Sequence, residues 1–310
     1  MGQGINATLS LSEPTAILVV GMHRSGTSVL ARIVNLMGAY VGSEAELVPA
    51  HPSINPTGHW ERMDVVMEQD RFLQNNGFGW GTLANFDFDK IADSRKRELA
   101  AKLRTIVGGM GHGDGVPVLL KDPRMCLLLP IWEHAVGTRV YLVAVRDPRK
   151  VAASVMEAYP ASFTTDFLLA LWQKYLQSAL SALRGKKALF IAYEHLLKDA
   201  PGQHDRLLRG LHALGAHSLT GLSQERLRSE FDVKLDRSEA SPHAHLSDGQ
   251  RRTYDWLARQ CENPGPVTVA DFPEIAPPDA VLAEVEAVRR ACLRNGWQMA
   301  MDKMQANARA

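Results

Sequence analysis

The sequence contains 310 residues, of which 45% are hydrophobic, and this is enough for a sizeable buried core. Its formal net charge of +1 gives no support for generic attraction to nucleic acid or to an anionic membrane. It has no run of about 18 apolar residues and no signal-peptide layout, so we expect a cytoplasmic protein without a membrane span. Its three cysteines do not have the spacing of metal ligands, so we expect no metal.

Apolar runs and their order predict an α/β fold. Buried strands are expected at 16–20, 116–120, 140–145 and 188–192. Because these runs are largely continuous rather than alternating, helices should cover both faces of a parallel sheet. Helical patterns occur at 27–36, 64–75, 94–106, 148–158, 166–183 and 279–304. We expect one domain over 1–310, with a core at about 14–197 and a mainly helical part at about 198–310, and with ligands at the carboxyl ends of the strands.

The first strand runs into a glycine loop, Gly21 to Ser28 (GMHRSGTS). Its spacing is that of the nucleoside-triphosphate loop, but Thr27 stands where a lysine is expected. A glycine turn that opens a helix points backbone N–H groups and the positive helix end at an anion, and Arg24 adds a cation. Because a triphosphate site usually needs the loop lysine and magnesium, the sequence favours a less highly charged ligand, such as a nucleotide phosphosulfate.

The third strand also ends at an anion-binding pattern. Arg146 follows this strand, and Ser154 lies about two helical turns further along the chain. An arginine fork and a hydroxyl in this arrangement can bind a phosphate. The plainer interpretation is a helix start, with Asp147 as the cap, Pro148 at the first helical position and Arg146 in solvent.

Together the two segments resemble sulfotransferases that use 3′-phosphoadenosine 5′-phosphosulfate (PAPS). Residues 21–30 resemble their 5′-phosphosulfate loop, and residues 140–154 resemble their 3′-phosphate motif, with its arginine and serine. The resemblance covers about 16–197 in ordered pieces and implies a P-loop-related fold with a nucleotide-binding core. It implies that PAPS is the co-substrate and that no metal takes part. The binding residues that it implies are His23, Arg24, Ser25, Gly26, Thr27, Ser28, Arg146 and Ser154.

Later residues complete the site that the resemblance implies. Tyr193 resembles a family tyrosine near the purine, although a core tyrosine is an equal alternative. Arg237 could add a phosphate contact from a late loop, but the usual basic 3′-phosphate loop of the family is not visible.

Lys121, at the end of the second apolar run, matches a family lysine that points at the oxygen between phosphate and sulfuryl group. Together with Arg24 it would stabilise the charge that develops there as the bond breaks. The alternative is a structural salt bridge to Asp122 or Glu133.

The proton acceptor is harder to assign, because Pro123 occupies the position at which cytosolic members of the family carry a histidine. Glu61, in a segment that resembles a motif of bacterial sulfotransferase-like proteins, is the first choice. A partly buried carboxylate there would have a raised pKa and could act as the base. The alternative is an acid at a helix start. Glu44 is the second choice, and His59 and His51 are further candidates.

The expected reaction is sulfuryl transfer to a hydroxyl group of a small-molecule, glycan or lipid acceptor. The segment from Leu47 to Trp60 and the stretch from Phe78 to Trp80 suggest a lid or an acceptor wall. Two alternatives stay open: a kinase-like phosphoryl transferase on a degenerate loop, and an inactive nucleotide-binding module.

Overall fold

The strands expected from the sequence form a parallel sheet. The computed structural model describes residues 15–51, 55–110, 113, 115–159, 163–230, 239–240 and 244–291. The strands are Ala16–Val20 (β1), Val118–Lys121 (β2), Arg139–Val145 (β3), Lys187–Ala192 (β4) and Val267–Thr268 (β5). Their order in the sheet is β2-β1-β3-β4-β5, with β1 to β4 parallel and β5 antiparallel to β4. The α/β prediction is confirmed; β5 was not predicted, because two residues are too few to show a pattern.

The strand order opens a crevice beside β1. The chain passes from β1 to β2 on one side and then returns to β3 on the other side. Ligands of open α/β sheets bind where the connections of neighbouring strands diverge in this way. Val19 of β1 pairs with Lys121 of β2 and with Leu142 of β3. The ends of β1 and β2 therefore differ by one residue, and β3 continues to Val145.

Helices cover both faces of the sheet, as the continuous apolar strands require. The helices are Thr27–Leu36 (α1), Met63–Asn75 (α2), Asp93–Gly108 (α3), Met125–Ala135 (α4), Pro148–Ala158 (α5), Thr165–Leu183 (α6), Tyr193–Lys198 (α7), Ala200–Ala213 (α8), Gln224–Glu230 (α9) and Asp248–Cys261 (α10).

Alternate residues of β1 belong to two separate cores. Leu18 packs in a large core with α2 to α6 and α10, whereas Ile17 and Val19 pack in a smaller core with α1, α7 and α8. All three side chains are fully buried. Burial of one such side chain contributes about 1.5–3 kcal/mol to folding, so the two cores fix β1 firmly beneath its loop.

One helix was missed in the sequence, and the prediction of the final helix is tested only in part. The helix α4 was not predicted: it is apolar on nearly every side and carries Pro130 inside, so it shows neither an amphipathic period nor a clean start. The final helix was expected over 279–304, and it is present over 279–291, while the rest lies outside the described residues. Within the described part of the chain no helix is long and apolar enough to cross a bilayer.

Candidate active site

The crevice at the ends of β1, β2 and β3 contains a polar pocket. The pocket brings together most of the site residues predicted from the sequence, namely His23, Arg24, Gly26, Thr27, Ser28, Glu61, Lys121, Arg146, Ser154 and Tyr193. Two predicted residues are not part of it. Ser25 is buried and does not line the pocket, and Arg237 lies outside the described residues.

The loop after β1 has the backbone of an anion-binding turn. Arg24 and Gly26 adopt positive φ angles of 67° and 86°. Gly26 is the N-cap of α1, and this helix start has neither a side-chain cap nor an acidic residue in its first turn. The first backbone N–H groups of α1 are therefore not capped by a carboxylate of their own helix, and Gly26, Thr27 and Ser28 line the pocket. A β-carbon at Gly26 would lie 2.4 Å from Cδ2 of Tyr193, so the loop packs directly on that ring.

A buried ion pair lies beside this helix start. Lys121 Nζ lies 2.5 Å from Glu61 Oε1, and it also donates to Ser28 Oγ at 3.2 Å. The ammonium that is missing from the glycine loop is thus supplied by the end of β2. The alternative interpretation, a salt bridge from Lys121 to Asp122 or Glu133, named the wrong partners, because the carboxylate that pairs with Lys121 is Glu61.

The Ser28 hydroxyl connects the loop that carries Glu61 to the glycine loop. It accepts a hydrogen bond from Asn55 Nδ2 at 3.1 Å and donates one to the carbonyl oxygen of His59 at 3.1 Å. Asn55 opens the segment whose resemblance to a bacterial sulfotransferase-like motif pointed to Glu61, but its contact with Ser28, 27 positions away, was not predicted.

The environment shifts the pKa values of the acid–base candidates in opposite directions. Burial raises the pKa of Glu61, against the influence of the neighbouring Lys121 ammonium. Partial burial and the charges of Lys121 and Arg24 lower the pKa of His59 to about 4. Burial also lowers the pKa of His23 well below its usual value. Both histidines are therefore neutral at neutral pH, whereas the pKa of Glu61 is shifted from the ordinary carboxylate range towards neutral pH.

A second cationic end of the pocket forms around Arg146. Its Nη1 donates to the carbonyl oxygen of Arg24 at 2.9 Å, and its guanidinium lies 4.7 Å from the ring centre of Tyr193. Arg24 Nε in turn donates to Ser154 Oγ at 3.0 Å. Burial and the charge of Arg146 lower the pKa of Arg24, as expected where two guanidinium groups lie close together.

The helix start at Asp147 and the site at Arg146 exist together. The Asp147 side chain caps α5, with Pro148 at the first helical positions, as the plainer interpretation predicted. Arg146, however, is buried rather than solvated. The cap therefore fixes the start of α5, the helix that carries Ser154, while Arg146 faces the pocket.

The sequence matches one family model over residues 14–213, and this model describes the sulfotransferase family. The chain belongs to the sulfotransferase family. No curated protein matches the sequence significantly.

Three solved sulfotransferase structures match this chain at low sequence identity and a low TM-score. The sulfotransferase domain of the Synechococcus PCC 7002 olefin synthase is 17% identical, covering 89% of this chain and 95% of its own, with a TM-score of 0.41. The sulfotransferase domain of the curacin biosynthetic pathway is 14% identical, covering 88% and 98%, with a TM-score of 0.40. The sulfotransferase STF1 of Mycobacterium tuberculosis H37Rv is 14% identical, covering 81% and 77%, with a TM-score of 0.40.

A buried polar network supports the site of this sulfotransferase from below. The fully buried carboxylate of Asp122 accepts hydrogen bonds from Gln69 Nε2 at 2.7 Å and from Arg124 Nη1 at 3.0 Å. Gln69 accepts from Trp132 Nε1 at 2.9 Å, and Arg124 pairs with Asp70 at 2.6 Å. Sequence reasoning missed this network, because its members come from α2, α4 and the turn between β2 and α4.

Two of the other base candidates, Glu44 and His51, lie away from the pocket. Glu44 is exposed in a short 3₁₀ turn, and His51 is exposed at the start of the segment that leads to Asn55. Neither lines the pocket, whereas His59 does. Glu61 precedes α2 instead of lying inside it, so a role as a first-turn helix acid does not explain it.

Proposed function

We propose that this sulfotransferase transfers a sulfuryl group from PAPS to a hydroxyl group of a small-molecule, glycan or lipid acceptor. One observation carries the proposal: a single pocket holds an uncapped helix start, the Lys121–Glu61 pair and a second cationic end at Arg146 and Ser154. An anion site at either end of the pocket suits a doubly phosphorylated adenosine, and the pair between them suits proton removal and leaving-group stabilisation.

The residues at both ends of the pocket fit this nucleotide. The first turn of α1 offers N–H groups to a 5′-phosphosulfate. Burial and then the neighbouring charge of Arg146 lower the pKa of Arg24, and a phosphate dianion between or beside the two guanidinium groups would relieve their repulsion. Tyr193 lies between Gly26 and Arg146, so its ring could flank the adenosine.

Three side chains would carry the chemistry. Bound PAPS would supply a sulfuryl group already activated on a phosphate leaving group. Glu61 would remove the proton of the acceptor hydroxyl, a task to which its raised pKa suits it. Lys121 would stabilise the negative charge on the leaving phosphate oxygen from a nearly dry position, where a charge is most effective, and Arg24 would add a second cation.

An aromatic wall next to the pocket supports acceptors with a ring or an apolar surface. Tyr159 lines the pocket and is 41% exposed. Trp80 lies behind it at 5.8 Å between ring centroids, and Trp80 also contacts Phe163 and His23. Such a wall can stack on a sugar face, an aromatic ring or a lipid.

A thermal shift comparison tests the proposed function. 3′-Phosphoadenosine 5′-phosphate (PAP), the product nucleotide, should raise the melting temperature in a concentration-dependent manner, because a ligand of the native state stabilises it in proportion to RT ln(1 + [L]/Kd). ATP with magnesium should raise it less. Stabilisation by ATP with magnesium alone would instead favour a kinase. Release of PAP from PAPS in the presence of acceptor panels then separates an enzyme from a binding module.

A further inference from the structure

The hydroxyl of Ser28 joins three groups and uses its full hydrogen-bonding capacity; we call it the Ser28 junction. It accepts from Asn55 Nδ2 at 3.1 Å and from Lys121 Nζ at 3.2 Å, and it donates its hydrogen to the carbonyl oxygen of His59 at 3.1 Å. A serine hydroxyl has one hydrogen and two acceptor positions, so its capacity is filled. Without breaking one of these bonds it cannot bind a nucleotide, and its role in this geometry is to hold other groups.

The position of the Lys121 ammonium depends on this junction. Of its three N–H donors, one is directed to Ser28 Oγ and one to Glu61 Oε1, and these are its acceptors within the described part of the chain. Lysine has a long flexible stem, so two fixed acceptors are needed to set the direction of the remaining N–H. Removal of either acceptor lets the ammonium pivot about the other.

We propose that Asn55 is a positioning residue that acts through Ser28 Oγ to hold the Lys121 ammonium beside Glu61 and to leave its third N–H for the leaving oxygen. Asn55 donates to one lone pair of the Ser28 hydroxyl oxygen, and the hydroxyl hydrogen points at the His59 carbonyl. The second lone pair of the oxygen is then left to accept from Lys121. The roles of Lys121 and Glu61 rest on the proposed function, but the junction itself is present without any ligand.

The pKa of Glu61 depends on where the Lys121 ammonium is held. The charged and titratable groups that act directly on it are Lys121, Asp122 and Arg124, with His59, His23 and Arg24 acting on the same cluster. Lys121 is the strongest of these influences, and it lowers the pKa that burial raises. A loosened ammonium would therefore let the pKa of Glu61 rise further.

The experiment measures this pKa directly in the full chain without any nucleotide. The carboxyl carbons of glutamate are labelled with carbon-13, and the Glu61 signal is assigned by its loss in Glu61→Gln. We expect Asn55→Ala and Ser28→Ala each to raise the pKa of Glu61 by about one unit, with no further rise in the double variant. Asn76→Ala, which removes an amide that donates to the Phe72 carbonyl at the C-terminal end of α2, is the matched control.

Several outcomes would overturn the proposal. These are an unchanged Glu61 titration in Asn55→Ala, shifts that add in the double variant, or an equal shift in Asn76→Ala. Asn55→Leu keeps the approximate size of the side chain without a donor or a charge, so it should behave like Asn55→Ala and serves where the alanine variant fails to fold. The outcome is independent of PAP binding: a wild-type protein that fails to bind PAP contradicts the proposed function and leaves this test intact.

Discussion

Lys121 and Glu61 form a contact of 2.5 Å in which the side chains are only 1% and 12% exposed. The two residues lie 60 positions apart and reach each other from the end of β2 and from the loop before α2. Either charge alone would be costly at this depth, because burial of an unpaired ion costs several kcal/mol. The contact offsets part of that cost, and it holds the proposed base and the proposed leaving-group cation in one place.

Loss of the Lys121 ammonium should slow sulfuryl transfer much more than it weakens nucleotide binding. We expect Lys121→Ala to slow the release of PAP from PAPS by about 100-fold or more, because stabilisation of developing charge is usually the largest catalytic contribution. The affinity for PAP, measured by calorimetry, should change much less. Lys174→Ala is the control, since it removes a buried ammonium that pairs with Asp279 at 2.9 Å outside the pocket. If Lys121→Ala releases PAP at a rate similar to wild type, Lys121 has no role in catalysis.

Glu61→Gln should remove the base while keeping the shape of the pocket. We expect a loss of about 100-fold or more in kcat, in the range that general base catalysis contributes, and unchanged PAP binding. In the wild-type protein activity should fall as the pH drops through the pKa of Glu61, which burial places above the ordinary carboxylate range. Persistence of this acidic limb in Glu61→Gln would assign it to another group.

Arg146 should bind the 3′-phosphate of the nucleotide. We expect Arg146→Ala to weaken PAP binding by about 10- to 100-fold and AMP binding very little, because a charge-assisted hydrogen bond to a phosphate is at stake only in PAP. Titration calorimetry of both nucleotides gives this ratio. Arg139→Ala at the other end of β3, where the guanidinium bonds two backbone carbonyls, controls for loss of stability. Equal losses for PAP and AMP would count against the assignment.

The sequence predicts the parts of the site that follow strands directly. A glycine loop behind one apolar run and Arg146 behind another can be placed at one sheet edge, because parallel strands end at the same edge. The fold prediction succeeded because long apolar runs indicate strands that are buried on both faces of the sheet. The helix α4 shows the limit, since a helix that is buried all round carries no period.

The sequence does not predict which polar groups meet. Lys121 was given Asp122 or Glu133 as alternative partners because they are near in sequence. In the structure Asp122 accepts from Gln69 and Arg124, and Glu133 contacts Lys186. Such choices depend on the packing of helices and loops that are far apart in the chain, and no local pattern records them.

Gly26→Ala should damage both stability and binding. The backbone there has a φ of 86°, and the added β-carbon would lie 2.4 Å from Tyr193 Cδ2. We expect a loss of about 2–4 kcal/mol in the free energy of unfolding by denaturant titration, and weaker PAP binding. Gly38→Ala separates the two causes, because Gly38 also has a positive φ, of 113°, but has no atom within 4 Å of an added β-carbon. Its loss should be about 1 kcal/mol, from backbone strain alone. Equal losses would mean that contact with Tyr193 contributes nothing.

His59 should make the protein less stable in acid. Its pKa is lowered from 6.5 to about 4 in the folded protein, first by burial and then by Lys121 and Arg24. The unfolded chain therefore binds more protons between these values, and stability must fall as the pH drops from 6.5 towards 4. The ring is only half-buried, so solvent reduces the effect to on the order of 1 kcal/mol. Denaturant unfolding at a series of pH values should show a shallower slope over this window in His59→Gln, whose backbone carbonyl still accepts from Ser28. His217→Gln, at an exposed position outside the pocket, is the matched control, and an equal change of slope in that variant would contradict the prediction.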